Sequence, residues 1–121
     1  MKILIVEDDQ VLSLMLQKMI NELGYTIIDA VSKGSSAIYT AIKNDCDLIL
    51  MDIMLDDDID GIDAYREIRQ VKDIPVIYIT GNSDPMNLRR AEQIGFYDFL
   101  SKPVIFDELK ETIRSIHLKM N

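Results

Sequence analysis

Residues 47–52 read Asp-Leu-Ile-Leu-Met-Asp, a short apolar run closed by an aspartate at each end. A run too short for a helix, with no polar residue in its centre, predicts a strand buried on both faces, as in a parallel sheet. The same form recurs at residues 2–7, Lys-Ile-Leu-Ile-Val-Glu, and at residues 76–80, Val-Ile-Tyr-Ile-Thr, opened by Pro75. Residues 26–31 (Thr-Ile-Ile-Asp-Ala-Val) and the short stretch 96–100 complete a set of five strands. Between them the apolar spacing changes to helical. Leu12, Met15, Leu16, Met19, Ile20 and Leu23 mark a first helix. Ala37, Ile38, Ala41 and Ile42 mark a second, and Ile62, Tyr65 and Ile68 a third. Asp84-Pro85 opens a fourth as N-cap and first helical residue, and Gly95 closes it. Phe106, Leu109, Ile113 and Ile116 line a fifth. Strand and helix alternating five times predict right-handed crossovers and a doubly wound α/β sheet.

The totals narrow the function classes. A chain of 121 residues suits one domain with a real core. The net charge of −8 argues against nucleic acid as a direct partner and against anionic membranes. Cys46 is the lone cysteine, so no internal disulfide forms, and its reading is a small buried hydrophobe. No apolar run reaches membrane-span length, and the opening run stops at Glu7, Asp8 and Asp9, too soon for a signal core. A cytoplasmic location is the expectation.

In open α/β sheets ligands bind beyond the carboxyl ends of the strands. Strand one ends in Glu7, Asp8 and Asp9, strand three in Asp52, strand four in Thr80, and strand five in Ser101-Lys102-Pro103. Crowded carboxylates either protonate or bind a cation, and oxygen donors select a hard divalent ion, Mg²⁺ with Mn²⁺ as substitute. A carboxylate is also a nucleophile toward phosphorus, giving an aspartyl phosphate at Asp52. Lys102 would supply positive charge to such a group and Thr80 a hydroxyl donor. Asp9 is read as a helix N-cap rather than a ligand.

Five segments in order carry a family resemblance: Ile3-Leu-Ile-Val-Glu7-Asp8-Asp9, Asp47-Leu-Ile-Leu-Met-Asp52-Ile-Met-Leu55, Asp60-Gly61, Ile79-Thr80-Gly81 and Phe99-Leu-Ser-Lys102-Pro103. Together they make the chain resemble, along its full length, a receiver domain of two-component response regulators, of the stand-alone, chemotaxis-regulator-like kind. The resemblance implies a flavodoxin-like (βα)5 fold with strand order 2-1-3-4-5. It implies Asp52 as acceptor of a phosphoryl group from a sensor histidine kinase or phosphotransfer protein. Metal ligands would be Asp8, Asp52 and the backbone carbonyl of Met54, with Glu7 acting through water. Thr80 and Lys102 would sense the phosphoryl group, and Lys102-Pro103 would be a cis peptide. Phe99 would stand at the aromatic switch position, altering the face of helix four, strand five and helix five for a downstream protein partner. A monomer or a weak phosphorylation-dependent dimer is implied. Residues 1–121 are read as one receiver domain without an output domain, either stand-alone or cut from a longer regulator or hybrid kinase.

One stretch departs from the family pattern. The loop after Asp52 reads Ile-Met-Leu-Asp56-Asp57-Asp58-Ile-Asp60-Gly61, one residue longer than usual and without the usual proline. No Lys or Arg falls between Asp45 and Asp63, and Asp56–Asp58 is read as a solvated loop.

Three other functions fit the sequence less well. A phosphatase of the haloacid dehalogenase type would carry an aspartate nucleophile where this chain has Glu7, and it would need a substrate cap. A flavin or dinucleotide site would need glycine in the first βα turn, and there is none. A degenerate receiver that only docks proteins is disfavoured by the intact Asp52, Thr80 and Lys102.

Overall fold

In a computed structural model, which describes residues 1–81 and 84–120, the strands β1 (Lys2–Val6), β2 (Thr26–Val31), β3 (Leu48–Asp52), β4 (Val76–Thr80) and β5 (Asp98–Ser101) form one parallel sheet. Their order is β2-β1-β3-β4-β5. The helices are α1 (Gln10–Glu22), α2 (Gly34–Lys43), α3 (Gly61–Arg69), α4 (Pro85–Ile94) and α5 (Phe106–Lys119). This is the doubly wound arrangement expected from the alternation, with the flavodoxin-like strand order that the resemblance implies. The chain end at Asn121 lies outside the described residues.

Every residue of β3 and β4 is buried, which is why those segments read as unbroken apolar runs. The sheet divides the core in two. Leu4, Val6, Ile49, Met51, Val76 and Tyr78 face α2, α3 and α4. Ile3, Ile5, Leu48, Leu50, Ile77 and Ile79 face α1 and α5. Alternation along each strand, with side chains pointing to opposite faces in turn, produces this split. The edge strand β2 is half-exposed throughout. Among the described residues no helix is long and apolar enough to cross a membrane.

The helix ends follow local chemistry. Asp9 caps α1 by accepting from the Val11 and Leu12 amides. Gly24 and Gly95 take positive φ (85° and 94°) directly after α1 and α4, a conformation costly for residues with a Cβ. Asp60 and Asp63 form a reciprocal capping box at α3. Two boundaries differ from expectation. Phe96 and Tyr97 lie before β5, because the ladder with β4 begins only at Ile77 opposite Asp98. On α1 the buried stripe runs through Ser13, Leu16 and Ile20, and Met15 faces solvent. The small Ser13 fits against the sheet, and its hydroxyl accepts from Gln17 Nε2.

Candidate metal and phosphoryl site

Parallel strands end level with one another, so the residues after β1 and the last residue of β3 meet at one edge. Glu7, Asp8 and Asp52 each place a carboxylate oxygen within 4.8 Å of the others. Glu7 and Asp52 are nearly inaccessible, and Asp8 is half-buried. Beyond β5, the Lys102 ammonium reaches back to this edge. Its Nζ donates to Asp52 Oδ2 at 3.1 Å and lies 3.2 Å from Glu7 Oε1. The second contact is an ion pair without hydrogen-bond geometry, since Glu7 Oε1 is a buried oxygen with no donor directed at it. Glu7 Oε2 accepts from the Asp9 amide at 3.1 Å.

Electrostatics follow from burial. Desolvation, reinforced by the facing carboxylates of Asp52 and Asp8, pushes Glu7 up to about 7 despite the Asp9 amide. For Lys102 burial alone would lower the ammonium. The hydrogen bond to Asp52 and the charges of Asp52 and Glu7 outweigh it, and the net direction is upward. Fully ionised, the three carboxylates and one lysine leave two negative charges at the edge, the complement of one divalent cation. The all-oxygen donor set and the orphaned Glu7 Oε1 fit a hard ion such as Mg²⁺.

Thr80 is buried at the end of β4, and the Lys102 amide donates to its carbonyl at 2.9 Å. The Lys102–Pro103 peptide is cis. Phe99, half-buried on β5, packs at 5.2 Å from Tyr78 and edge-on at 4.6 Å from Phe96. A cavity of about 300 Å³ beside it is lined by Ile53, Thr80, Leu88, Phe96 and Phe99, among others.

The long acidic loop is tied down by contacts the sequence did not suggest. The Asp56 amide donates to Asp8 Oδ2 at 3.0 Å. Asp57 Oδ2 accepts from the Ser35 amide at the start of α2, whose own N-cap position, Lys33, supplies no side-chain cap. Gly61 N donates to Ile53 O at 2.8 Å and closes the loop. Arg90 from α4 holds Asp60 and Asp63. Burial would raise the Asp60 carboxyl, but hydrogen bonds from Arg90 and the Asp63 amide hold it below its ordinary value. Of these, only the Asp60–Asp63 capping box left a readable signal, an aspartate three residues before another at the start of an apolar-periodic run.

Fold and edge together define a doubly wound α/β domain with a buried acidic cleft opposed by one lysine. The chain belongs to the response regulator receiver domain family, whose model matches residues 3–114. That family is the phospho-accepting domain of two-component response regulators, phosphorylated on aspartate. Over 115 residues the chain is 38% identical to the transcriptional regulatory protein HprR of Escherichia coli (strain K12), covering 95% of this chain and 51% of that protein. It is 35% identical over 115 residues to the response regulator ArlR of Staphylococcus aureus (strain Mu50), covering 95% and 52%. The chain thus spans about half the length of these relatives. Among solved structures it resembles the receiver domain of a modulated diguanylate cyclase from Desulfovibrio desulfuricans G20 (TM-score 0.91, 31% identity, covering 98% of this chain and 95% of that one). It also resembles the receiver domain of the sensor histidine kinase PA1611 from Pseudomonas aeruginosa PAO1 (TM-score 0.85, 34% identity, 96% and 97%), which has a magnesium ion coordinated in its active site cleft.

Proposed function

We propose that Asp52 is the phosphoryl acceptor of a cytoplasmic signalling module that takes its phosphoryl group from a phosphohistidine on a sensor kinase or phosphotransfer protein. The observation that carries this reading is the Lys102 ammonium 3.1 Å from Asp52 Oδ2 inside a buried acidic cluster. One Asp52 carboxylate oxygen attacks phosphorus and forms the new P–O bond. The bond from phosphorus to the histidine nitrogen breaks, and that nitrogen leaves with its electron pair. Lys102 accompanies the transferred group with a positive charge, and the Thr80 hydroxyl would donate to it.

Asp8, Asp52 and the Met54 carbonyl would hold Mg²⁺ (or Mn²⁺ in its place), with Glu7 contributing through water. When bound, the ion offsets charge on the phosphoryl oxygens and orients them. The chain drives one transfer onto itself and one hydrolysis, with no turnover of an outside substrate. Drawing Thr80 toward the phosphoryl group would open room for the Phe99 ring in the adjoining cavity. The face of α4, β5 and α5 then changes its affinity for a protein partner as a shift of populations, and a weak dimer through that face belongs to the same state. Nucleic acid and membrane are outside this reading, in keeping with the net charge of −8. Residues 1–121 act as one receiver unit.

The test is mass analysis after incubation with Mg²⁺ and acetyl phosphate, with Asp52→Asn run in parallel. Wild type should gain one hydroxylamine-sensitive phosphoryl group and the variant none. Equal gain by both proteins would move the acceptor elsewhere.

A further inference from the structure

We propose that Arg90 is a positioning residue for the acceptor site, acting from α4 through the acidic start of α3. The inference rests on Asp52 as acceptor.

The Arg90 guanidinium makes a two-pronged contact with Asp60, Nη1 to Oδ2 at 2.8 Å and Nη2 to Oδ1 at 3.2 Å. Nη2 also donates to Asp63 Oδ1 at 3.0 Å, and Nη1 to Asn87 Oδ1 at 3.0 Å. The planar fork matches a carboxylate in a way an ammonium cannot. Asp60 at the same time caps α3 by accepting from the Asp63 amide at 2.8 Å. The next residue, Gly61, sits against the Asp52 backbone, so that a Cβ added there would lie 2.2 Å from the Asp52 carbonyl oxygen. Gly61 also hydrogen-bonds Ile53 O. An unbroken series of contacts therefore runs from α4 through Arg90, Asp60 and Gly61 to the backbone of Asp52 and Ile53.

The charge pattern gives this series its purpose. The loop from Ile53 to Asp60 carries Asp56, Asp57, Asp58 and Asp60 and no cationic residue. Without Arg90, Asp63 keeps its pair with Arg66 at 3.1 Å, but Asp60 loses its counter-charge and repels its acidic neighbours, and the loop relaxes outward. That loop holds the Met54 carbonyl and the Asp56 amide that fixes Asp8. Both are supports for a cation, so relaxation weakens Mg²⁺ binding while leaving Asp52, Thr80 and Lys102 chemically intact.

The experiment measures acetyl-phosphate-driven phosphorylation against Mg²⁺ for wild type, Arg90→Gln, Arg90→Lys, Asp60→Asn and the double variant Arg90→Gln/Asp60→Asn. Circular dichroism confirms that each is folded under the assay conditions. Outer-sphere partners of metal ligands commonly change affinity by about 10–100-fold, and Arg90 stands farther out, so the half-saturating Mg²⁺ should rise about 3–10-fold. The maximal rate should stay within about twofold, since the groups at the acceptor are untouched. Arg90→Lys, which keeps the charge but not the fork, should fall between wild type and Arg90→Gln, and adding Asp60→Asn to Arg90→Gln should recover part of the loss by removing the charge that drives the loop outward. If Arg90 acts only through its field, Arg90→Lys will match wild type and Arg90→Gln will lower the half-saturating Mg²⁺. Either result overturns the proposal, as does an unchanged Mg²⁺ requirement in Arg90→Gln. Should wild type itself take no phosphoryl group, the acceptor reading fails. The positioning role is then decided by direct Mg²⁺ titration followed by NMR, in which the same weakening is expected and its absence is refuting.

Discussion

Gly61→Ala should be among the most damaging single-methyl changes in the domain, and Gly34→Ala should be nearly silent, although both glycines begin a helix. Neither glycine is among those with positive φ, so backbone conformation does not separate them. The neighbours do. A Cβ on Gly61 would lie 2.2 Å from the Asp52 carbonyl oxygen, 3.0 Å from the Asp52 carbonyl carbon and 2.8 Å from Met51 Cγ. Ordinary close C···O approaches are about 3.3–3.6 Å, so roughly 1 Å of overlap must be relieved by moving backbone. That backbone belongs to β3, which is buried along its whole length. Overpacking a rigid site costs about 1–3 kcal/mol, and the upper part of that range applies here. The opposing gain, from replacing glycine at a helix start and stiffening the unfolded chain, is at most about 1 kcal/mol. A net loss of about 2 kcal/mol follows, or a Tm lowered by about 8 °C. At Gly34 the Cβ would meet Ile59 Cγ1 at 2.8 Å and Cδ1 at 3.0 Å and Ala64 Cβ at 3.4 Å, side-chain atoms rather than the backbone of a buried strand. Its net change should be within about 0.5 kcal/mol, because the helix gain offsets the small repacking cost. Urea unfolding followed by far-UV circular dichroism measures both. Equal losses in the two variants, or a Gly61→Ala loss under about 0.5 kcal/mol, would refute the reasoning from contact distance.

Three further expectations concern the site and the core. Glu7 has its folded pKa raised from 4.5 to about 7, so its contribution to stability is fully present below pH 4.5 and is lost as pH rises through 7. Thermal unfolding in a metal chelator should show this decline, Glu7→Gln should flatten it, and Mg²⁺ should restore stability at pH 8; a profile insensitive to Glu7→Gln would contradict it. Asp60, held low, pulls the other way only in more acidic solution. Lys102→Met should cost about 1–2 kcal/mol at pH 8, less than a fully buried pair because Lys102 is partly exposed, and less again at pH 5 where Glu7 is protonated; chelator-treated urea melts at the two pH values give the comparison. Tyr65→Phe removes a buried hydroxyl that donates to the Ile74 carbonyl and should lose about 1–2 kcal/mol in the same assay.

The parts of the fold legible in the sequence were those with one dominant physical cause. β3 and β4 are buried on both faces, so their centres are apolar and the polar Asp52 and Thr80 stand only at their carboxyl ends. Asp9, Asp84-Pro85, Gly24 and Gly95 mark helix ends by local chemistry. Glu7, Asp8, Asp52, Thr80 and Lys102 could be gathered beforehand because parallel strands bring their carboxyl ends to one edge. Contacts between separate elements were not legible. Arg90 and Asp60 are 30 residues apart and meet only because α4 packs beside α3. Asp57 supplies a cap to α2 from across a gap of 22 residues. Phe96 and Tyr97 look like strand residues, yet the paired register with β4 starts at Asp98, the Tyr97 amide making only the first bond, to the Val76 carbonyl.

The uneven burial of the five helices ranks them by how readily each leaves the sheet. α5 buries Leu109, Ile113 and Ile116, and α3 buries Ile62, Tyr65 and Ile68, whereas α4 buries Ala91 and packs Ile94 only partly against the core. Opening α4 exposes little apolar surface, so its amides should exchange with solvent deuterium through a partial opening far below the global unfolding free energy. What keeps such a helix in register is polar and salt-sensitive. High salt should therefore speed exchange in α4 selectively, leaving α3 and α5 as slow as before.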